Sequence, residues 1–245
     1  MPETIPRSSG PAALLDPRPG HSFRSRIGVD VAGGFYPAPH RYQVFLSQGC
    51  PRSLRVSITL DLLRLRDSLT TVCLPSPTAA QGLREAYEAT WHRYDGPLTV
   101  PALCDRWSGR VVSNHTPDIL RDIADHLSTP GHSHLPRLRP PALAAEIEAL
   151  GEIIETRITR ADRPATSLAA LDLLDRRLGP GPYVLGEELT AADVDLWVAL
   201  VHSDAAPLVP RYDRLHAYVR RLAGHPAFPK GVSGCGYAGS GTARR

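Results

Sequence analysis

The residues Gly49-Cys50-Pro51-Arg52 stand where a short apolar run, Tyr42 to Ser47, gives way to a helical pattern beginning near Ser53. A thiol in that place sits at a helix N-terminus, where unpaired backbone N–H groups and the macrodipole stabilise an anion. Pro51 suits the first helical turn, since its missing donor has no intrahelical partner there and its φ is already helical. Strand, Cys-Pro, helix is thus a pattern for a reactive cysteine, the alternative being a buried thiol that behaves as a small hydrophobe. Cys73, Cys104 and Cys235 complete the set, and the four spacings match neither a metal site nor a disulfide framework, so all four are expected to be free.

The elements around this thiol can be read from periodicity. Residues 1–40 are rich in Pro, Gly and Arg without a sustained period and read as an extended N-terminal arm. Residues 41–127 read as a small α/β domain. After the Tyr42 strand, Leu54, Ile58, Leu62 and Leu65 recur at helical spacing and predict an amphipathic helix with one face on a sheet. Leu69 to Leu74 is a second strand, Leu83 to Trp91 an irregular helical link, and Leu98 to Cys104 a third apolar run. Pro101 inside that run marks a sheet edge or a break. Arg110 to Ser113 reads as a closing strand, and Thr116-Pro117-Asp118 opens a helix that runs through Leu127.

Residues 128–141 form a linker by composition, 142–230 an all-helical domain, and 231–245 a flexible Gly-rich tail. In the helical half, Leu143, Ile147, Leu150, Ile154 and Ile158 make one stripe, and Leu168, Leu171, Leu174 and Leu178 a second. Thr190-Ala191-Ala192-Asp193 is a capping box ahead of Val194, Trp197, Val198 and Val201, which makes Asp193 structural rather than catalytic.

Composition excludes several classes. Net charge is +3 over 245 residues with both signs interspersed, so neither nucleic acid nor an anionic membrane is expected as a partner. No stretch approaches a membrane-spanning length, and the N-terminus lacks a signal-peptide layout, which points to the cytoplasm. His132 and His134, with His126 nearby, have no third ligand at a recognisable spacing, so no metal is expected. Lys230 is the sole lysine against 27 arginines, a bias that marks a high-GC bacterial host rather than a chemistry.

The layout resembles the cytosolic glutathione transferases and, more narrowly, the Xi class of glutathionyl-hydroquinone reductases. The resemblance is carried by Phe23-Arg24-Ser25, Gly34-Phe35-Tyr36-Pro37 and Arg41-Tyr42, by Cys50-Pro51, and by Leu98 to Leu103. It continues in Ser108 to Asn114 and in Tyr183 to Gly186 through Asp193. It implies a thioredoxin-like domain followed by a helical bundle, with Pro101 as the cis-proline and Val100 offering its backbone to the cysteinyl part of a bound thiol. It also implies that Cys50 attacks the sulfur of a glutathionyl-hydroquinone, that a second thiol resolves the mixed disulfide, and that the protein is a homodimer.

Two positions depart from the class. His115-Thr116 stands where an acid and a Ser grip the γ-glutamyl group; Thr116 can donate to a carboxylate or cap its helix, but His115 cannot replace a carboxylate. Arg52 stands where a Trp is usual, and can stabilise a thiolate, pair with a ligand carboxylate, or remain solvated. These departures point to glutathione or another low-molecular-weight thiol such as mycothiol, whose cysteine nitrogen is acylated. Two other functions remain open: a transferase or isomerase adding a thiol to an electrophile such as a quinone, and a transferase-like binding protein.

Overall fold

The computed structural model describes residues 21–28, 34–76, 80–128, 135–161, 163–179 and 181–229. Most of the expected arm, residues 129–134 of the linker with His132 and His134, and the tail with Cys235 lie outside the described residues. The chain folds as a mixed four-stranded sheet with helices on both faces, followed by helices alone, the two-part layout expected from the sequence. Strand β1 (Tyr42–Ser47) leads through α1 (Pro51–Leu62) to β2 (Thr70–Leu74), and α2 (Gln81–Thr90) leads to β3 (Ala102–Asp105) and β4 (Arg110–Ser113). The sheet order is β2-β1-β3-β4, with β2 parallel to β1 and the remaining pairs antiparallel.

Alternation along the strands splits the apolar residues between two layers. Val44, Leu46, Leu103 and Val112 face a large core shared with α1 and the helical half. Phe45, Ala102, Cys104 and Val111 face a smaller one against Leu83, Ala86 and Tyr87 of α2. After β4 come α3 (Thr116–Asp122), which runs on as a π-turn over Ile123–Leu127, and α4 (Ala144–Ile154), which does the same over Glu155–Thr159. Helices α5 (Pro164–Arg177), α6 (Ala191–His202) and α7 (Asp213–Ala223) complete the chain.

Of the two readings of Pro101 the break holds, since β3 begins just after it and lies between β1 and β4. Three other expectations need correction. The link before β3 is a regular ten-residue helix, held by burial of Leu83, Ala86 and Tyr87. Helix α1 is buried on both faces rather than one, because α6 packs on the side turned away from the sheet. Leu168 is 37% exposed, and the α5 stripe consists of Leu171, Leu174 and Leu178 instead. The capping box is present: Asp193 accepts from the backbone N–H of Thr190 at 2.8 Å, and it also holds Val184 N–H and the Tyr218 hydroxyl, both at 2.9 Å.

One buried ion pair ties the segment ahead of β1 to the sheet. The Arg41 guanidinium meets Asp105 at 2.8 and 3.0 Å, donates to Gly34 O, and lies over the rings of Tyr36 and Trp107. Burial alone would raise the Asp105 carboxyl, but hydrogen bonds from Arg41, Ser108 and Trp107 N–H carry it below the usual range. A carboxylate lowered in the fold adds stability that is complete above its unfolded value near pH 4 and is lost as pH falls through the folded value. Arg41→Ala is therefore expected to cost about 3–5 kcal/mol in urea unfolding at pH 7, because it strands a buried charge, with the deficit shrinking as pH drops below about 4. A deficit under 1 kcal/mol at pH 7 would show that the pair carries no such weight.

Candidate functional site

Cys50 is the N-cap of α1, and its Sγ accepts from Ser53 N–H at 3.5 Å. Gly49, at φ +70°, turns the chain from β1 into that helix, a conformation that glycine adopts without a Cβ penalty. The Cys50 Sγ also lies 4.0 Å from Val100 O, and the Val100–Pro101 peptide is cis. The thiol is only 2% exposed, yet it lines a cleft of about 1120 Å³ between α1, α3, α4 and α6.

Cys50, Arg52, His115 and Thr116 all line this cleft; Val100 and Pro101 do not, and lie behind Cys50 instead. Among the described residues Cys50 is the one thiol in its wall. Cys73 is half-buried on β2, and Cys104 faces the smaller core, where burial and then the adjacent Asp105 push its thiol up to about 12.

Thr116 does not cap α3. His115 occupies the N-cap position, no side chain makes a cap hydrogen bond, and Thr116 is already the first helical residue. His115 Nδ1 sits 3.0 Å from Asp118 Oδ2, one turn further along. Burial holds the imidazole below the ordinary histidine range, aided by Arg24 and Arg121 and opposed by Asp118.

A carboxylate is thus close to His115, but it is committed elsewhere. Arg24 Nε donates to Asp118 Oδ2 at 2.8 Å, and Arg26 Nε to Asp122 Oδ1 at 2.7 Å, so the arm residues 21–28 are clasped onto α3. Sequence reasoning missed Asp118, whose partners are nearly a hundred residues away. It also missed Asn114, Arg55, Asp195 and His202, all of which line the cleft.

Among the described residues, no group of three or more His, Cys, Asp or Glu is placed to hold a metal, and no helix is long and apolar enough to cross a membrane. Beneath the thiol side of the cleft, Asn114 joins three segments. Its Oδ1 accepts from Phe23 N–H at 2.8 Å, and its Nδ2 reaches His21 O, Tyr87 Oη and Thr99 Oγ1.

The chain is similar to known proteins over most of its length. Residues 159–221 match the family model for the glutathione S-transferase C-terminal domain. Glutathionyl-hydroquinone reductase YqjG from Escherichia coli strain K12 is 26% identical over 228 residues, covering 76% of this chain and 69% of that protein. PcpF, a glutathionyl-hydroquinone reductase of Sphingobium chlorophenolicum, is 25% identical over 238 residues, covering 82% of this chain and 72% of its own. The crystal structure of the Xi glutathione transferase from Phanerochaete chrysosporium superposes with a TM-score of 0.69 at 26% identity, covering 85% and 86% of the two chains. A glutathione-bound structure of YqjG has the same fold, with a TM-score of 0.70 at 23% identity and coverage of 90% and 87%.

Asn114→Ala removes the side-chain partners of Phe23 N–H and His21 O, at about 1–3 kcal/mol for each buried group left unpaired, while the hydroxyls of Tyr87 and Thr99 keep their bond to each other. Its midpoint in chemical unfolding is expected to fall clearly. An unchanged midpoint would show that Asn114 is not the joint between arm, α2 and sheet.

Proposed function

From a chain with the glutathione transferase fold, Xi-class structural neighbours and enzymes as relatives, we propose a thiol-dependent reductase of the glutathionyl-hydroquinone reductase type working through Cys50. The observation that carries this reading is the position of Cys50: at the N-cap of α1, hydrogen-bonded by Ser53 N–H, and the one thiol in the wall of the cleft among the described residues.

The thiolate attacks the sulfur of an aryl thiol conjugate. A Cys50–S–S–R bond forms, the sulfur–aryl bond breaks with its electron pair going to the ring carbon, and a proton restores the C–H of the released hydroquinone. A second thiol then attacks the mixed disulfide, releasing R–S–S–R and the Cys50 thiol. The net change is a two-electron reduction of the conjugate by thiol. Ser53 N–H supports the charge on sulfur at the start of the first step and its return in the second. Arg52, two residues along in the lining of the cleft, supplies positive charge on the same side. Val100 and Pro101 position the backbone behind Sγ, and the proposed unit 41–127 supplies the thiol side while 142–230 supplies the facing wall.

Glutathione has the support of the YqjG structure that holds it. Against a strong grip on its free ammonium stand His115, held neutral, and Asp118, already engaged by Arg24. Thr116 retains a hydroxyl for a carboxylate. An ammonium without a carboxylate partner forgoes roughly 1.5–3 kcal/mol, about one to two powers of ten in affinity. Mycothiol, having no free amine on its cysteine, escapes that loss. Homodimer formation and a cytoplasmic setting remain part of the proposal, and sedimentation tests the former.

His115 also favours a second reading, a binding protein without turnover, and one experiment separates the two. Cys50→Ala is expected to abolish reductive removal of thiol from an aryl conjugate by several powers of ten, with Cys73→Ala, Cys104→Ala and Cys235→Ala largely active. Equal turnover by Cys50→Ala and wild type would overturn the mechanism. In calorimetric titrations, His115→Glu is expected to tighten glutathione binding at least tenfold and to leave mycothiol binding unchanged. Tight wild-type glutathione binding, unimproved by the acid, would show that His115 does not discriminate between thiols.

A further inference from the structure

We propose that the end of the cleft beyond the thiol side recognises a hydroxyl-bearing partner through Arg55, Asp195 and His202; the proposal rests on the thiol-conjugate reading above and names how this chain reads the leaving fragment. From Val194 to His202, helix α6 is apolar except at Asp195 and His202. Those two residues, with Val198 and Ala199 between them, fall at i, i+3, i+4 and i+7, and all four line the cleft. Arg55 comes from α1, five residues past Cys50, and is 9% exposed.

The polar atoms of this trio are buried and incompletely used. Arg55 Nε and Asp195 Oδ1 stand 3.5 Å apart without hydrogen-bond geometry, and among the described residues neither has a hydrogen-bond partner; His202 Nε2 has none either. Arg55 Nη2 reaches Glu155 Oε2 at 3.5 Å. Buried polar groups are seldom left unsatisfied, and three around one cavity indicate atoms supplied from inside it.

The chemistry of those atoms narrows the guest. A hydroxyl accepts from Arg55 Nε–H and donates to Asp195 Oδ1 at once. A carboxylate would meet Asp195 and Glu155, and an ammonium would meet Arg55, so a neutral group fits better than either charge. Burial holds His202 below the ordinary histidine range, which leaves a neutral imidazole for a further polar atom. Among the described residues the lining contains no Phe, Tyr or Trp; the body of the guest lies against Leu120, Leu138, Ile147, Val194 and Val198. Discrimination between guests must then come from hydrogen bonds, because aliphatic walls hold aryl compounds of similar size about equally.

Calorimetric titration of the full chain with hydroquinone, 4-methoxyphenol and 1,4-dimethoxybenzene tests this. Wild type is expected to bind them in that order, with about a tenfold or greater spread from first to last. Asp195→Leu and His202→Phe are each expected to narrow the spread to about threefold or less while leaving 1,4-dimethoxybenzene binding intact; the second variant serves if the first does not fold. Equal binding of the three probes by wild type, or an undiminished spread in the folded variants, would overturn the proposal. No sulfur is transferred in these titrations, so their outcome is independent of the Cys50→Ala result that tests the mechanism.

Discussion

Helix α1 has no free face, and the rest of the molecule is arranged around that constraint. Nine of its twelve residues are buried, including Leu54, Val56, Ile58, Leu60 and Leu62. Burying Leu54, Val56, Ile58 and Leu60 alone is worth roughly 6–12 kcal/mol at about 1.5–3 kcal/mol each, as large as the whole net stability of an ordinary domain. The helix can therefore neither rotate nor withdraw while the protein stays folded. The sulfur at its N-terminus is fixed against α6 as firmly as against the sheet, although the residues concerned are more than 140 positions apart in the chain. The face of α1 that carries Arg52, Arg55 and Thr59 is the face that meets the cleft, so the same burial that immobilises the thiol also sets polar groups beside it along the same wall.

Two acids on α6, two residues apart, show how position decides use. Asp193 is fully buried, and its oxygens are taken by Val184 N–H, Thr190 N–H and hydroxyl, and the Tyr218 hydroxyl. It joins the 181–186 loop, the start of α6 and α7, and has no lone pair to spare. Asp195 faces the cleft with an oxygen that no described residue hydrogen-bonds. A helix presents successive residues about 100° apart, so one carboxylate became a joint and the other part of a wall.

The fold was legible where signals are local. The alternation of Tyr42 to Ser47, Pro51 after the thiol, the Leu spacing of α1 and the Thr190–Asp193 box each act within a few residues, and the element order follows from them. What stayed hidden depends on distant partners. Arg55 and Thr59 fall outside the apolar stripe of α1, and only the packing of α6 buries them beside the cleft. Thr116 looks like a cap until the helix begins at it rather than after it. Leu168 fits the stripe of α5 yet faces out, because the buried face of that helix runs through Ser167, Ala170, Leu171 and Leu174. Of the site, Cys50 and the His115–Thr116 position carried local marks; Asp118 and Asp195 did not, since their meaning lies in guanidinium groups far along the chain.

The clasp of Arg24 and Arg26 onto Asp118 and Asp122 sets an order of events during synthesis. The arm is made first, but its partners are 94 to 96 residues further on, and the ribosome must deliver the whole sheet and α3 before the clasp can close. Until then Asp122, which is fully buried in the finished protein, has no counter-ion, and α3 cannot seat without leaving that charge uncompensated. A segment that precedes the sheet in the chain thus docks only after the sheet and α3 have been made, and the floor of the thiol cleft is completed when it does.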